Sequence, residues 1–160
     1  MKCFAGFERA DGRVGVRNHL ALIPTVSCSN GVASLIHQRM PAAVPLYHGH
    51  GCGRAGRDLE LHMRTLINLG RHPNVGAVLV VGLGCEVIKA EYLASAIAES
   101  GKSVASLEIQ AEGGSQAAAA WGLNFSKTWR GRCRNSSRWR WAWSGSCSGW
   151  SVEVLTLSRV

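Results

Sequence analysis

No stretch of this 160-residue chain approaches the ~20 uninterrupted apolar residues that a membrane helix needs, so a helical span is excluded. The N-terminus reaches Glu8 and Arg9 too early to hold the apolar region of a secretory signal, and cytoplasm is the expected location. Six cysteines are present but no Cys-x-x-Cys pair, which removes the usual pattern of a structural zinc site. In a reducing compartment a disulfide frame is the weaker reading of those cysteines, and metal binding or catalysis the stronger. The chain also lacks the Gly-Lys-Ser/Thr ending of a P-loop and the G-x-G-x-x-G spacing of a dinucleotide site, so its glycine-rich loops are not read as phosphate cradles.

Acid is scarce, with ten Asp and Glu against 18 Lys and Arg, and the resulting charge of +8 invites a nucleic-acid reading. Its distribution argues otherwise. Residues 1–120 hold 11 Lys and Arg against 9 acids, whereas residues 121–160 hold 7 against Glu153 alone. All six tryptophans fall in the second segment and all six histidines in the first. The basic character therefore belongs to the tail. The chain divides into residues 1–120, with the grammar of a folded domain, and a basic Trp/Arg/Ser-rich tail over 121–160, expected to be irregular. Trp139, Trp141 and Trp143 alternate as a strand would, but no Asn-Gly or Asp-Gly turn supports a hairpin there. Tryptophan has a single codon, TGG, and a shift of one base turns it into glycine codons or the ends of valine and leucine codons. A change of reading frame near Trp121 to Lys127 would account for this composition; a natural basic tail and an RNA-binding Arg/Trp segment are the alternatives.

Residues 1–110 alternate strands and helices. His19 to Val26 is an apolar run suited to a buried strand, and Gly31 to Met40 reads as a helix stopped by Pro41. Ala43 to Tyr47 is a weaker strand whose proline favours an edge. Arg57 to Leu69 is amphipathic, with Leu59, Met63, Leu66 and Ile67 on one face and Gly70 at its stop. Val75 to Val81 is the clearest strand, Ile88 to Ser100 a helix ended by Gly101, and Ser103 to Ile109 a further strand. The order β-α-β-α-β-α-β implies an α/β fold: a parallel, Rossmann-like sheet with right-handed crossovers and helices on both faces.

Three segments carry chemistry: Thr25-Val26-Ser27-Cys28-Ser29-Asn30, His48-Gly49-His50-Gly51-Cys52-Gly53 and Gly82-Leu83-Gly84-Cys85-Glu86. Each follows an expected strand and precedes an expected helix. In an open parallel sheet such loops share the carboxyl edge, where ligands bind. Cys28 and Cys85 fall near helix N-termini, which favours the thiolate that binds metals. His48 and His50 suit metal ligation or acid–base work. His37, His62 and His72 fall on or beside helices and read as structural or exposed. Thiolates with imidazole fit an Fe²⁺ site or a three-cysteine iron–sulfur cluster alike. At the start of the chain, Asp11-Gly12 is a turn among Arg9, Arg13 and Arg17, and arginine pairs with carboxylates through two hydrogen bonds.

Gly6 to Asn18, followed by Pro24-Thr25-Val26-Ser27-Cys28-Ser29-Asn30, resembles the opening of the main domain of altronate and galactarate dehydratases, the UxaA family. His50-Gly51-Cys52-Gly53, Arg64-Thr65-Leu66, His72-Pro73-Asn74-Val75 and Val81-Gly82-Leu83-Gly84-Cys85-Glu86 follow in the order and spacing of that family. The large subunit of sulfolactate sulfo-lyase looks equally similar. The resemblance ends near Trp121, where family members continue for a few hundred residues, through a Cys-Gly-Gly-Ser-Asp segment absent here. It implies a hydro-lyase that removes water from an aldonic or aldaric acid to give a 2-keto-3-deoxy acid. It implies a divalent metal, with Fe²⁺ ahead of Mn²⁺ and an iron–sulfur cluster behind both. Carried onto this chain, it puts Cys28, Cys52 and Cys85 at the metal and His48 or His50 as base or ligand. Glu86 is then an acid or a support behind the ligands, and Arg13, Arg17, Asn18 and Arg54 bind substrate. Altronate and galactarate dehydratases begin with a small SAF-type β domain, whereas this chain starts directly at the main domain, so a separate small subunit is an expected partner. A homo-oligomer is expected of intact members. A sulfo-lyase, whose leaving group is sulfite, and an inactive truncated product are the alternatives.

Overall fold

The computed structural model describes residues 2–133, 139–143 and 152–154, with side-chain surroundings described for residues 5–131. The chain opens with strands β1 (Lys2–Glu8) and β2 (Val14–Gly15). The α/β body follows as β3 (His19–Pro24), α1 (Asn30–Arg39), β4 (Ala43–Pro45), α2 (Gly56–Arg71), β5 (Val75–Gly82), α3 (Ala90–Ala98), β6 (Ser103–Glu108) and α4 (Ser115–Cys133). Strands β3 to β6 form one parallel sheet in the order β4-β3-β5-β6.

The apolar runs explain the layering. Leu20 to Ile23 and Ala77 to Val81 are all within 1% of full burial, as strands covered on both faces must be. Leu20, Leu22, Ala77, Leu79 and Val81 pack against Val32, Ala33 and Ile36 of α1 and Ala118, Ala119 and Leu123 of α4. The alternate residues Ala21, Ile23, Val78 and Val80 meet Leu66 of α2 and Leu93, Ala94 and Ile97 of α3. The period of two in the strands thus feeds two separate cores, and each fully buried leucine or isoleucine contributes about 1.5–3 kcal/mol. Helices α2 and α3 touch closely at Gly70, where an added Cβ would lie 2.6 Å from Ile97 Cδ1.

Several boundaries differ from those expected. β4 stops at Pro45, although Leu46 N–H still donates to Leu22 O at 2.9 Å. α3 begins at Ala90 rather than Ile88, because residues 82–89 form a loop organised around Glu86. Helix α4 was not foreseen, and it runs without a break through the 120/121 division drawn from composition. Gly122, Leu123 and Ser126 are buried within it, with Gly122 against Ile36 and Leu79.

A second, antiparallel sheet has the order β2-β1-β7-β8, where β7 is Trp139–Trp143 and β8 is Val152–Val154. The Trp/Arg alternation is therefore a strand, paired with β1 on one side and with β8, the next strand in the chain, on the other. Residues 134–138, 144–151 and 155–160 of the expected irregular tail lie outside the described residues. Among the described residues no helix is long and apolar enough to cross a membrane.

Candidate functional site

From the central strand β3 the chain passes first to β4 on one side and then to β5 on the other. The loops that follow β3 and β5 diverge at this reversal, and in an open α/β sheet the carboxyl edge at such a point is the usual ligand position. All three cysteine-bearing loops lie on that edge, since each follows one of the adjacent strands β3, β4 and β5.

Backbone bonds tie the loops together. Thr25 N–H donates to Val81 O at 3.0 Å, and Ser27 N–H donates to His50 O at 2.8 Å. Asn30 Nδ2 donates to His48 O at 2.9 Å, and His48 Nε2 lies 2.7 Å from Pro24 O. A carbonyl only accepts, so His48 Nε2 carries the proton, and Nδ1 is left to accept from His50 N–H at 3.3 Å. Both ring nitrogens of His48 are thereby spent on the backbone. Gly51 makes the approach close: its φ is +124°, and a Cβ there would stand 2.8 Å from Val26 Cα.

Glu86 is the buried anion of the edge, 4% exposed. Its Oε1 accepts from Thr25 Oγ1 at 2.8 Å and Leu83 N–H at 3.0 Å, and its Oε2 accepts from Gly84 N–H at 2.6 Å. Burial pushes its pKa up, but the backbone amides of Glu86 itself and Gly84, the Thr25 hydroxyl and the Leu83 amide pull harder, so it falls below the ordinary carboxylate range. Glu86 is an anion at neutral pH, which suits a support behind the loops better than a proton donor.

Cys28, Cys52 and Cys85 are exposed free thiols. The Cys52 thiol is pushed up by desolvation first, then by the neighbouring Cys28 and Cys85, a hydrogen bond with Cys28, and Glu86. Cys52 therefore lies within electrostatic reach of both other cysteines. Among the described residues, no three His, Cys, Asp or Glu side chains are gathered closely enough to enclose a metal ion as they stand. The donors suit a thiophilic divalent cation in kind, because cysteine sulfur is a soft ligand, and Cys28, Cys52 and Cys85 are the residues that would hold it.

His62, on α2, joins the site although it read as structural or exposed. Its ring centroid is 4.9 Å from that of His48 and 6.1 Å from that of His50. Burial lowers its pKa, with His48 next and smaller pushes from Arg54 and His50, against a hydrogen bond to the Thr25 backbone that raises it. The signal was available. Position 62 lies on the apolar stripe of α2, three after Leu59 and four before Leu66, and a histidine on a buried stripe needs a polar partner. Half-buried Arg54 stands close enough for its charge to act on His62, so it belongs to the same edge.

Arg13, Arg17 and Asn18 are not brought to this edge. They precede β3, whose six residues at ~3.3 Å each separate them from Thr25 by roughly 17 Å or more. Arg13 pairs with Asp11 at 2.6 Å and donates to Arg71 O at 2.8 Å. Arg9 donates to Asn18 Oδ1 at 2.9 Å and Arg17 O at 3.0 Å. Asn74, before β5, accepts from the Val16 and Arg17 amides. These groups knit the amino edge of the sheet. Lys102 joins them there, donating to Gly70 O and His72 O, and its pKa falls to about 8 through burial and then the charges of Arg9 and Arg13.

Comparison with known proteins identifies the family. The family model described as D-galactarate dehydratase/Altronate hydrolase, second domain, matches residues 6–132. Altronate dehydratase of Bacillus subtilis (strain 168) is 43% identical over 95 residues, covering 53% of this chain and 19% of that protein. Altronate dehydratase of Escherichia coli (strain K12) is 46% identical over 91 residues, covering 50% and 18%. The (2R)-sulfolactate sulfo-lyase subunit beta of Chromohalobacter salexigens is 42% identical over 82 residues, covering 51% and 21%. The chain thus spans about a fifth of the length of these curated relatives. No solved structure matches it. With a family model matched across residues 6–132, the chain belongs to the D-galactarate dehydratase/altronate hydrolase family and carries its second domain.

Proposed function

We propose that this chain supplies the sheet-edge part of a hydro-lyase site that removes water from an aldonic or aldaric acid to give a 2-keto-3-deoxy acid. The observation that carries the reading is the convergence of three thiols, the imidazoles and Arg54 at the reversal point of the parallel sheet, in a chain of this family.

Elimination requires loss of the weakly acidic proton beside the carboxylate and departure of the 3-hydroxyl with a proton. Arg54 is the group suited to hold the carboxylate, through paired N–H donors. His50 is exposed at the rim, while both nitrogens of His48 face backbone groups, so His50 is the better carrier of the C2 proton and His48 the group that orients the loop. A proton taken from C2 and returned to the leaving 3-hydroxyl leaves an enol, which tautomerises to the keto acid. Glu86 holds the Leu83–Gly84 amides and Thr25 in place and keeps its charge. A divalent cation held by Cys28, Cys52 and Cys85, Fe²⁺ ahead of Mn²⁺, would supply Lewis acidity at the carboxylate and 2-hydroxyl. The rest of a full-length family member, or a separate small subunit, completes the pocket.

One other reading has an observation of its own. The 42% identity to a sulfo-lyase subunit favours sulfite as the leaving group. The chain spans about a fifth of the altronate dehydratases it matches, so the activity of a whole family member is a proposal for this part of it. The test incubates the purified chain with Fe²⁺ and, separately, galactarate, altronate and sulfolactate. A 2-keto acid detected as its semicarbazone from either sugar acid supports the hydro-lyase. Sulfite from sulfolactate transfers the assignment to the sulfo-lyase. Neither product, together with no binding of the sugar acids, removes the hydro-lyase reading. For the metal, iron content undiminished in both Cys52→Ser and Cys85→Ser would sink the thiol assignment.

A further inference from the structure

The two edges of the parallel sheet are built differently. β4, at one edge, is three residues long and contains Pro45, two devices that blunt an exposed strand. β6, at the other, is six residues long, runs in unbroken register with β5 from Ser103 to Glu108, and carries neither proline nor lysine. No strand lies on its outer side among the described residues. Ile109 N–H donates to Gly82 O, so by alternation Leu107, Ala105 and Ser103 turn their backbone groups to β5, and Val104 and Ser106 turn theirs outward. An edge of this kind is a template for a further strand.

The chain's own continuation does not supply that strand. Helices α1 and α4 cover one face of the sheet, and α2 and α3 cover the other. The crossover through α1 moves from β3 to β4, and the crossover through α3 moves from β5 to β6, so the two share one hand on opposite faces. A parallel strand reached through α4, on the α1 face, is laid by the same hand on the β4 side. The described strand that follows α4 in this chain, β7, pairs with β1 instead. A strand for the β6 edge therefore has to come from another molecule.

The sequence of β6 is complementary to itself. When two copies meet antiparallel about a two-fold axis through Ala105, perpendicular to the sheet, each face continues across the junction and Val104 of one copy stands opposite Ser106 of the other. These are the residues with outward backbone groups, so the pair exchanges its N–H and C=O bonds, twice by symmetry. Lys102 of each copy then stands opposite Glu108 of the other, a cation facing an anion at both ends of the junction. The Glu108 carboxylate has no partner among the described residues. Lys102 donates to Gly70 O and His72 O and keeps a third N–H. On the α3 face, the small side chains of Ala94, Ser95 and Ala98 leave a groove along Val104 and Ser106, beside the junction.

We propose that β6 pairs antiparallel with β6 of a second copy of this chain, with Lys102 of each copy opposite Glu108 of the other, joining two four-stranded sheets into one continuous sheet. The pairing gives the expected homo-oligomer a surface, and it is independent of the proposed chemistry.

The test measures the mass of the full chain by sedimentation velocity across a range of concentrations, with far-UV circular dichroism to check folding. The wild type should sediment as a dimer. Ser106→Pro removes an outward N–H and leaves the ladder to β5 intact, and Glu108→Lys sets like charges opposite each other. Each should raise the dissociation constant at least ~10-fold. Lys102→Glu should do the same alone. An equimolar mixture of Lys102→Glu with Glu108→Lys should dimerise again, because only the mixed pair restores opposite charges at both ends. A contact that served the fold of one chain would not be rescued by mixing. Where Lys102→Glu fails to fold, Ser106→Pro and Glu108→Lys decide. A wild type that stays monomeric leaves the edge to a strand of a different subunit and overturns the proposal. So does a dimer that Ser106→Pro and Glu108→Lys leave as tight as the wild type, or a pair of folded charge variants that does not recover on mixing.

Discussion

Replacing Glu86 tests whether one anion holds the carboxyl edge together. Three donors converge on it at 2.8, 3.0 and 2.6 Å, from Thr25 Oγ1, Leu83 N–H and Gly84 N–H. Bonds to a charged partner contribute about 1.5–3 kcal/mol each, and three at the low end come to roughly 4 kcal/mol. Relief of the cost of burying the carboxylate offsets part of this, while two backbone amides are left facing no acceptor. Glu86→Ala should therefore destabilise the fold by about 3–4 kcal/mol in a urea titration followed by far-UV circular dichroism at neutral pH. Glu86→Gln keeps one oxygen for Thr25 and Leu83 but turns an amide N–H toward the Gly84 N–H, and should cost about 2 kcal/mol. The pH dependence has a definite sign. The folded-state pKa of Glu86 lies below the ordinary 4.5, so its contribution is complete above that pH and is lost as pH falls through the folded value. The gap between wild type and Glu86→Gln should stay constant above pH ~5 and narrow below it, where a protonated Glu86 presents a donor as Gln does. An alanine variant within ~1 kcal/mol of wild type, or a wild-type-to-Gln gap that ignores pH, would refute the reasoning.

Two further outcomes follow from the same edge and from the packing beneath it. Cys52, held toward its thiol form, should alkylate with iodoacetamide more slowly near neutral pH than an unhindered free cysteine, and Cys28→Ser should speed it by removing the neighbouring sulfur that pushes Cys52 up; mass spectrometry of the Cys52 peptide over time reads both, and a rate insensitive to residue 28 would remove the coupling. Gly122→Val should destabilise by about 1–3 kcal/mol, because even a Cβ at that position stands 2.5 Å from Ile36 Cδ1 and 3.0 Å from Leu79 Cδ2; a melting temperature equal to wild type would show that α4 does not press on the sheet past residue 120.

The parallel sheet was legible because its strands are covered on both faces and read as uninterrupted apolar runs, as in Val75 to Val81. The placement of the cysteine loops followed, since loops after neighbouring parallel strands share an edge. The amphipathic stripe of α2 was legible for its leucines, yet His62 on that stripe passed as ordinary, because periodicity shows which residues turn inward and not what an inward polar group faces. The arginine cluster at Arg13 and Arg17 looked like a carboxylate site by residue type. Only the sheet direction shows that these residues enter β3 rather than leave it. Helix α4 escaped notice because Trp121, Lys127 and Arg130 broke the composition at its middle, whereas its buried side rests on small residues, Ala118, Ala119 and Gly122, that carry little hydrophobic signal. Strand β1 was hidden by its partner, since β7 lies more than 130 residues downstream, and the pairing leaves no local mark.

The parallel order β4-β3-β5-β6 also fixes when the site comes into being during synthesis. Cys28 and Cys52 emerge early, but the strand that brings the third loop to the edge, β5, ends at Gly82, and Glu86 follows it. Each parallel pairing is reached only after a helical crossover has been closed, an entropic cost that must be met before any sheet bond rewards it. A nascent chain arrested before Gly82 therefore displays two thiols and the histidine loop with no third wall and no buried carboxylate to anchor them. The three-loop edge is incomplete while the chain is most exposed to stray metals and oxidants, and it is completed when the third strand of the parallel sheet, β5, is laid down beside β3 and the Glu86 loop follows.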